Sequence, residues 1–190
     1  MFMPKKVDQM SLEQKVQLLL DEREIRNVQT RWCRAVDRAD LDLMKSCFYE
    51  DGVDHHAPFF ESTFGAMAET FVQSLEKLAT NSMYTLGNLS IEIDGNVART
   101  ESYLCSQLIL PERAESGNKV MAFTGLRYLD RFEKRHGEWR IAERWFVQEW
   151  RLFPEVPEPT KMMGSIPPPA EWTLKPIVSH KDGRDISYSI

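Results

Sequence analysis

Three side chains close together in the chain could move protons: Asp37, Asp54 and His56. Asp54-His55-His56 opens a predicted strand, where neighbouring side chains face opposite sides. Asp54 and His56 therefore share a face, and His55 takes the other. Asp37 falls in the last turn of a predicted helix. A carboxylate there meets the negative end of the helix dipole, at a cost of roughly a few tenths of a kcal/mol. It also borders the apolar stripe of Ile25, Val28, Trp32 and Val36. Two readings account for an acid in that place. Arg34, three residues earlier, pairs with it on the surface, or Asp37 points into a pocket floored by the stripe. In the second case Asp37 and His56 converge from different elements. A carboxylate beside a histidine fixes its tautomer, and such a pair moves protons at neutral pH. Tyr84, Tyr103 and Tyr128 lie on predicted strands and could donate hydrogen bonds into the same space.

Other chemistries lack their residues. His55 and His56 cannot both reach one ion from a regular strand, Asp54 and His56 alone are too few ligands, and there is no HExxH, so no metal is expected. Neither GxGxxG nor GxxxxGK[ST] occurs, and no nucleotide cofactor is expected. A serine elbow, GxSxG, is missing too. Cys33 is the one thiol near Asp37, and a neighbouring acid opposes the thiolate a nucleophile needs. What remains is acid–base chemistry with no cofactor.

The elements that would position these groups follow from period and punctuation. Ser11 with Gln14 forms a capping box that opens a helix through Leu20. Asp21 with Glu24 repeats the signal, so the helix continues or restarts there and runs to about Arg38. Asp40 caps a short helix burying Leu43, Met44 and Cys47. A third helix after Thr63 carries Met67, Phe71, Leu75 and Leu78 at helical spacing. From Met83 onward residues alternate. Asp94-Gly95 is a hairpin turn, a strand runs from Val97 to Leu110, PERAESGNK is a polar loop, and strands follow over 119–134 and after His136-Gly137. Helices followed by an antiparallel meander predict an α+β fold, with the sheet curled over a helix to leave a pocket open at one end. Residues 1–153 form this domain, and 154–190 form a Pro-rich arm that docks on its own subunit or a neighbouring one through Met162, Met163, Ile166, Trp172 and Ile177.

The bulk numbers set outer bounds. The chain has 190 residues and a net charge of −5, which gives nucleic acid or an anionic membrane no electrostatic purchase. Apolar runs are too short to span a bilayer, and MFMPKKVDQMSLEQK lacks the apolar stretch of a secretory signal. Cys33, Cys47 and Cys105 show no CxxC spacing and suit a reducing compartment, so a cytoplasmic protein is expected.

The order helix, Asp37, short helix, strand, followed by NLSIEIDGNVARTESYL and GLRYLDRFEKRHGEWRIAER, resembles the SnoaL-like branch of the nuclear-transport-factor-2-like superfamily, over about Leu18 to Leu152. Members similar to this chain include scytalone dehydratase, bile-acid 7α-dehydratase and lyases of lignin-derived diarylpropanes. The resemblance implies a cone-shaped barrel, three N-terminal helices on a strongly curved antiparallel sheet, and a homotrimer. It implies cofactor-free elimination by an Asp–His pair. Asp37 matches the family's catalytic aspartate. Tyr84 stands where these lyases carry their catalytic histidine, a departure from the pattern. His56 and Trp32 fall where relatives have pocket tyrosines, and Gln107 where one has a second histidine. Tyr128 and Trp145 fall on pocket-lining strand positions. The implied catalytic set is Asp37, His56 and Tyr84, with Trp32, Cys33, Asp54, Tyr103, Gln107, Tyr128 and Trp145 around a small aromatic substrate. The implied activity is a lyase that dehydrates, or dehydrates with deformylation, a hydrophobic phenolic alcohol such as a lignin-derived dimer. An isomerase or an epoxide hydrolase is the alternative, the latter using a relay of Asp54 and Arg127. A third reading is a non-catalytic ligand-binding protein or the small subunit of an oxygenase.

Overall fold

The computed structural model describes residues 7–157 and 185–189. The chain folds as α1 (Leu12–Arg38), α2 (Leu41–Lys45), β1 (Phe48–His56), β2 (Phe60–Thr63), α3 (Phe64–Leu78), β3 (Asn81–Asp94), β4 (Val97–Arg113), β5 (Lys119–Arg135), β6 (Glu138–Leu152) and β7 (Glu155–Val156). Three helices pack on one sheet of seven strands in an α+β cone, as expected, but the sheet is mixed where an antiparallel one was expected. The strand order is β2-β1-β6-β5-β4-β3, with β7 on β5, and the sheet does not close. Its pairs are antiparallel except β1 with β6, which run parallel.

Both expected caps form. Ser11 and Gln14 exchange bonds of 3.2 and 3.0 Å, and Asp40 accepts from the Leu43 N–H at 2.9 Å. Asp21 does not restart the helix. It is buried inside α1, where Lys134 and Trp139 donate to it at 2.6 and 2.9 Å and Gln17 at 3.0 Å. The acid in that signal ties the helix to the β5–β6 hairpin.

The core sits between α1 and the concave face of the sheet. Trp32 is its centre, with ring centroids of Phe48, Phe64 and Phe71 at 5.1, 6.0 and 6.1 Å. Strand period decides which side chains join it. Along β5 Thr124, Leu126, Tyr128, Asp130 and Phe132 are buried on the inner face, and Phe123, Arg127, Leu129 and Arg131 lie outside. Gly52 lets β1 approach β6 closely, because a Cβ there would come within 2.9 Å of the Ile141 carbonyl oxygen. Past that irregularity Asp54 lies in register with Arg144.

The last described residues, 185–189, rest on the end of α1. The Tyr188 hydroxyl donates to Asp40 at 2.8 Å, the Arg34 guanidinium lies 5.0 Å from the Tyr188 ring centre, and Arg38 meets Asp185 at 3.3 Å. The contacts expected of Met162, Met163, Ile166, Trp172 and Ile177 lie outside the described residues.

Candidate active site

The chemistry gathers inside the cone in two levels. At the deep level Arg144 makes a two-bond fork with Asp130, Nε to Oδ1 and Nη2 to Oδ2, both 2.7 Å. Both side chains are wholly buried. Gln29 of α1 closes this group, donating to Asp130 at 2.6 Å and to Thr100 at 3.2 Å while accepting from Arg144 at 3.2 Å. The guanidinium carbon lies 3.9 Å from the centre of the Tyr128 ring. Its remaining nitrogen, Nη1, has no hydrogen-bond partner, and neither oxygen of the fully buried Asp54 on the adjacent strand has one.

His56 stands above Asp54. Its Nδ1 is 3.4 Å from Asp54 Oδ1, an ion-pair distance and long for a hydrogen bond. The ring is stacked between Phe146 and Phe60, with centroids at 4.2 and 4.8 Å, and Tyr128 meets its edge at 6.4 Å. Only 12% of the side chain is exposed. With Nδ1 turned to Asp54, Nε2 lies on the far side of the ring. The carboxylate against His56 is therefore that of Asp54, from the same strand face.

At the second level Asp37 Oδ1 accepts the backbone N–H of Tyr84 at 2.9 Å, and its carbonyl accepts from Ser82 at 3.3 Å. Asp37 thus faces β3. Burial, and after it the Asp37 charge, push the Tyr84 hydroxyl up to about 12, so the phenol keeps its proton. Burial also holds Tyr128 well above the usual phenol range, with the neighbouring Tyr84 hydroxyl adding to it. Cys33 is a buried thiol, pushed up to about 12 by desolvation with Asp37 adding to it, and is no nucleophile. Trp32 is a core ring whose indole side faces Tyr128.

The structure therefore brings Trp32, Cys33, Asp37, Asp54, His56, Tyr84 and Tyr128 to the inner face. It corrects three expectations. Tyr103, Gln107 and Trp145 point outward, because the buried residues of β4 are Ser102, Leu104, Ser106 and Leu108, and Arg144 takes the inward position beside Trp145. Tyr103 lies under Arg127 with its ring 48% exposed, and Trp145 stacks on His55 at 5.0 Å. The relay of Asp54 with Arg127 fails for the same reason. Arg127 is outside, bound to Glu101 and Glu149 at 2.8 and 2.6 Å.

Gln29, Asp130 and Arg144 were missed from sequence. The signal was present in the last strand, where alternation puts Arg144, Phe146 and Gln148 on one face. Among the described residues no set of three or more His, Cys, Asp or Glu side chains is placed to hold a metal ion, and no helix is long and apolar enough to cross a membrane. A groove of about 540 Å³ lies on the outer face beside Glu92, Arg99, Glu101, Arg131, Glu143 and Trp145, away from Asp37 and His56.

The same architecture recurs among solved structures. Hexachlorocyclohexane dehydrochlorinase LinA type 2 aligns over 76% of this chain and 98% of its own, at 13% identity and a TM-score of 0.67. A protein from Novosphingobium aromaticivorans named after scytalone dehydratase aligns over 75% and 93%, at 15% identity and a TM-score of 0.66. An NTF2-like protein from Salmonella enterica serovar Typhimurium aligns over 66% and 89%, at 22% identity and a TM-score of 0.58. These likenesses carry the fold. No curated protein matches the sequence. The SnoaL-like domain matches residues 17–145, most of the chain. The chain belongs to the SnoaL-like family.

Proposed function

We propose that this protein is a cofactor-independent lyase that eliminates water from a hydrophobic aromatic alcohol inside the cone, a phenolic dimer of the kind derived from lignin being the expected type. One observation carries the reading: an imidazole stacked on Phe60 and Phe146 with its Nδ1 3.4 Å from a wholly buried carboxylate. The aromatic walls suit a ring-bearing substrate. Asp54 favours the tautomer with the proton on Nδ1 and leaves Nε2 as the base. His56 Nε2 takes a proton from the carbon next to the alcohol. The C–H electron pair becomes the new double bond, the C–O bond breaks, and the proton leaves with the hydroxide as water. Tyr84 and Tyr128 stay protonated and donate hydrogen bonds to the departing oxygen. Burial, with the Asp37 charge adding to it, keeps the Tyr84 phenol a donor.

General acid–base groups contribute about 10²–10⁴-fold in rate. His56→Ala and Asp54→Asn are each expected to lose that much turnover on a panel of aryl alcohols and phenolic dimers. The assay follows the conjugated product by absorbance and the loss of water by mass. Full turnover in both variants would sink the reading. A second reading has its own observation. Asp54 and Arg144 are register neighbours whose facing polar atoms lack partners, and a water between them would be oriented for addition to an epoxide. A product heavier by one water in place of lighter distinguishes it.

A further inference from the structure

Arg151 lies on the inner face of β6, opposite Thr124. Its Nε donates to Thr124 Oγ1 at 3.0 Å. Its guanidinium carbon is 5.7 Å from the centre of the Phe59 ring, on the turn between β1 and β2. Two separate parts of the fold, β5 and the turn between β1 and β2, thus meet around this cation. Arg26, Arg127, Arg131, Arg135, Arg140 and Arg144 each meet a carboxylate within ion-pair distance. Among the described residues none does so for Arg151, and its half-buried fork keeps both terminal nitrogens for a partner. A partly desolvated guanidinium without a counter-charge is costly, and its planar geometry matches a carboxylate through two parallel bonds.

The side chains between Arg151 and the histidine are apolar. Leu104 and Leu126 are buried on this face, and Phe59, 59% exposed, touches both groups, its ring centre 5.7 Å from the guanidinium carbon and 6.1 Å from the imidazole. From Thr124 to Tyr128 is four residues of strand, about 13 Å. We propose that Arg151 anchors a carboxylate at one end of an elongated aromatic substrate, whose other end meets His56. The substrate class becomes an aryl hydroxy acid with its anion held by Arg151. Asp37 acts on the Tyr84 hydroxyl, and its Oδ1 is engaged by the Tyr84 backbone N–H. The inference rests on the reading above only for where the reaction occurs. The anchor itself is a matter of binding.

The test is calorimetric titration of the full chain with 4-biphenylcarboxylate and its carboxamide, which differ in charge and share shape. The wild type is expected to bind the acid roughly 10- to 100-fold more tightly, the range of a charge-assisted pair. Arg151→Gln removes that preference and leaves the carboxamide affinity unchanged, which also reports that the variant is folded. Arg151→Lys restores part of it. His56→Ala keeps the preference intact, so a failed lyase reading and a failed anchor give different results. Equal affinity for the two probes in the wild type overturns the proposal. So does a preference that survives Arg151→Gln, or no binding of the acid up to millimolar concentration.

Discussion

Arg144 is the residue on which the interior depends. It is a fully buried cation forked to an equally buried Asp130, and it faces Asp54 on the next strand. Two buried carboxylates, Asp130 and Asp54, stand beside this one guanidinium. Removing the arginine leaves buried negative charge without a counter-ion, which costs about 3–5 kcal/mol when one partner of a buried pair is lost. Arg144→Met is expected to lower the unfolding free energy measured in urea by that amount, and the double variant Arg144→Met/Asp130→Leu to recover much of it. A loss under about 1 kcal/mol in the single variant would show that the pair is not what holds this level together. The same neighbourhood shows what a one-dimensional pattern can disclose. Period two placed Asp54 with His56 and against His55, because neighbours on a strand always part. It could not say which parity of β4 and β6 faces the helix. That depends on the register with β3 and β5 and on the irregularities at Gly125–Leu126 and Arg131–Phe132. Neither the strand pattern behind Tyr103 nor the resemblance behind Gln107 and Trp145 carries that register, and all three lie on the outer face. Arg144 was passed over because a charged residue in a strand is taken as exposed unless a partner is in view, and its partners are at 29 and 130.

Elements were more legible than contacts. Caps, turns and apolar spacing act over four or five residues, so α1, α2, α3 and the meander could be read from the chain itself. The parallel β1–β6 pair joins segments far apart in sequence and carries no local signal. Asp21 marks the boundary between the two kinds of information. Its spacing to Glu24 is that of a cap, while its role is tertiary. Burial alone would raise its carboxyl, but the bonds from Lys134, Trp139 and Gln17 together hold it below the usual carboxylate range. A depressed folded value means that the stabilisation is present above the unfolded value near 3.9 and is lost as pH falls through the folded one. Asp21→Asn keeps the shape and removes the charge. It is expected to cost about 1.5–3 kcal/mol at pH 7, the range for a hydrogen bond to a charged group. The difference from the wild type should shrink as pH drops below about 4. Urea unfolding at several pH values measures this, and a difference that stays constant down to pH 2 would contradict the assignment.

At the scale of the molecule the two faces of the sheet are unequal. The inner face is packed against α1 and α3. On the outer face, among the described residues, Met83, Tyr103, Trp145 and Trp150 remain 51%, 48%, 40% and 41% exposed. Trp150 lies flat over Gly125, where an added Cβ would come within 2.3 Å of its ring, so the surface there is broad and even. The charges between these rings are matched: Arg127 with Glu101 and Glu149, Arg131 with Glu143, and His55 with Glu61 and Glu143. A face that is apolar in patches and whose charges are engaged in ion pairs presents a modest desolvation penalty to a neighbouring copy, and sheets stack at about 10 Å with side chains interleaved. The homotrimer implied by the resemblance would use this face. Sedimentation at tens of micromolar is expected to give about three times the 22.1 kDa of one chain. The pair of changes Tyr103→Glu and Trp150→Glu places like charges on a shared interface and should yield the single chain with its circular dichroism unchanged. Wild-type protein sedimenting as one chain would remove the assembly, and a trimer that tolerates both changes would move it to another surface.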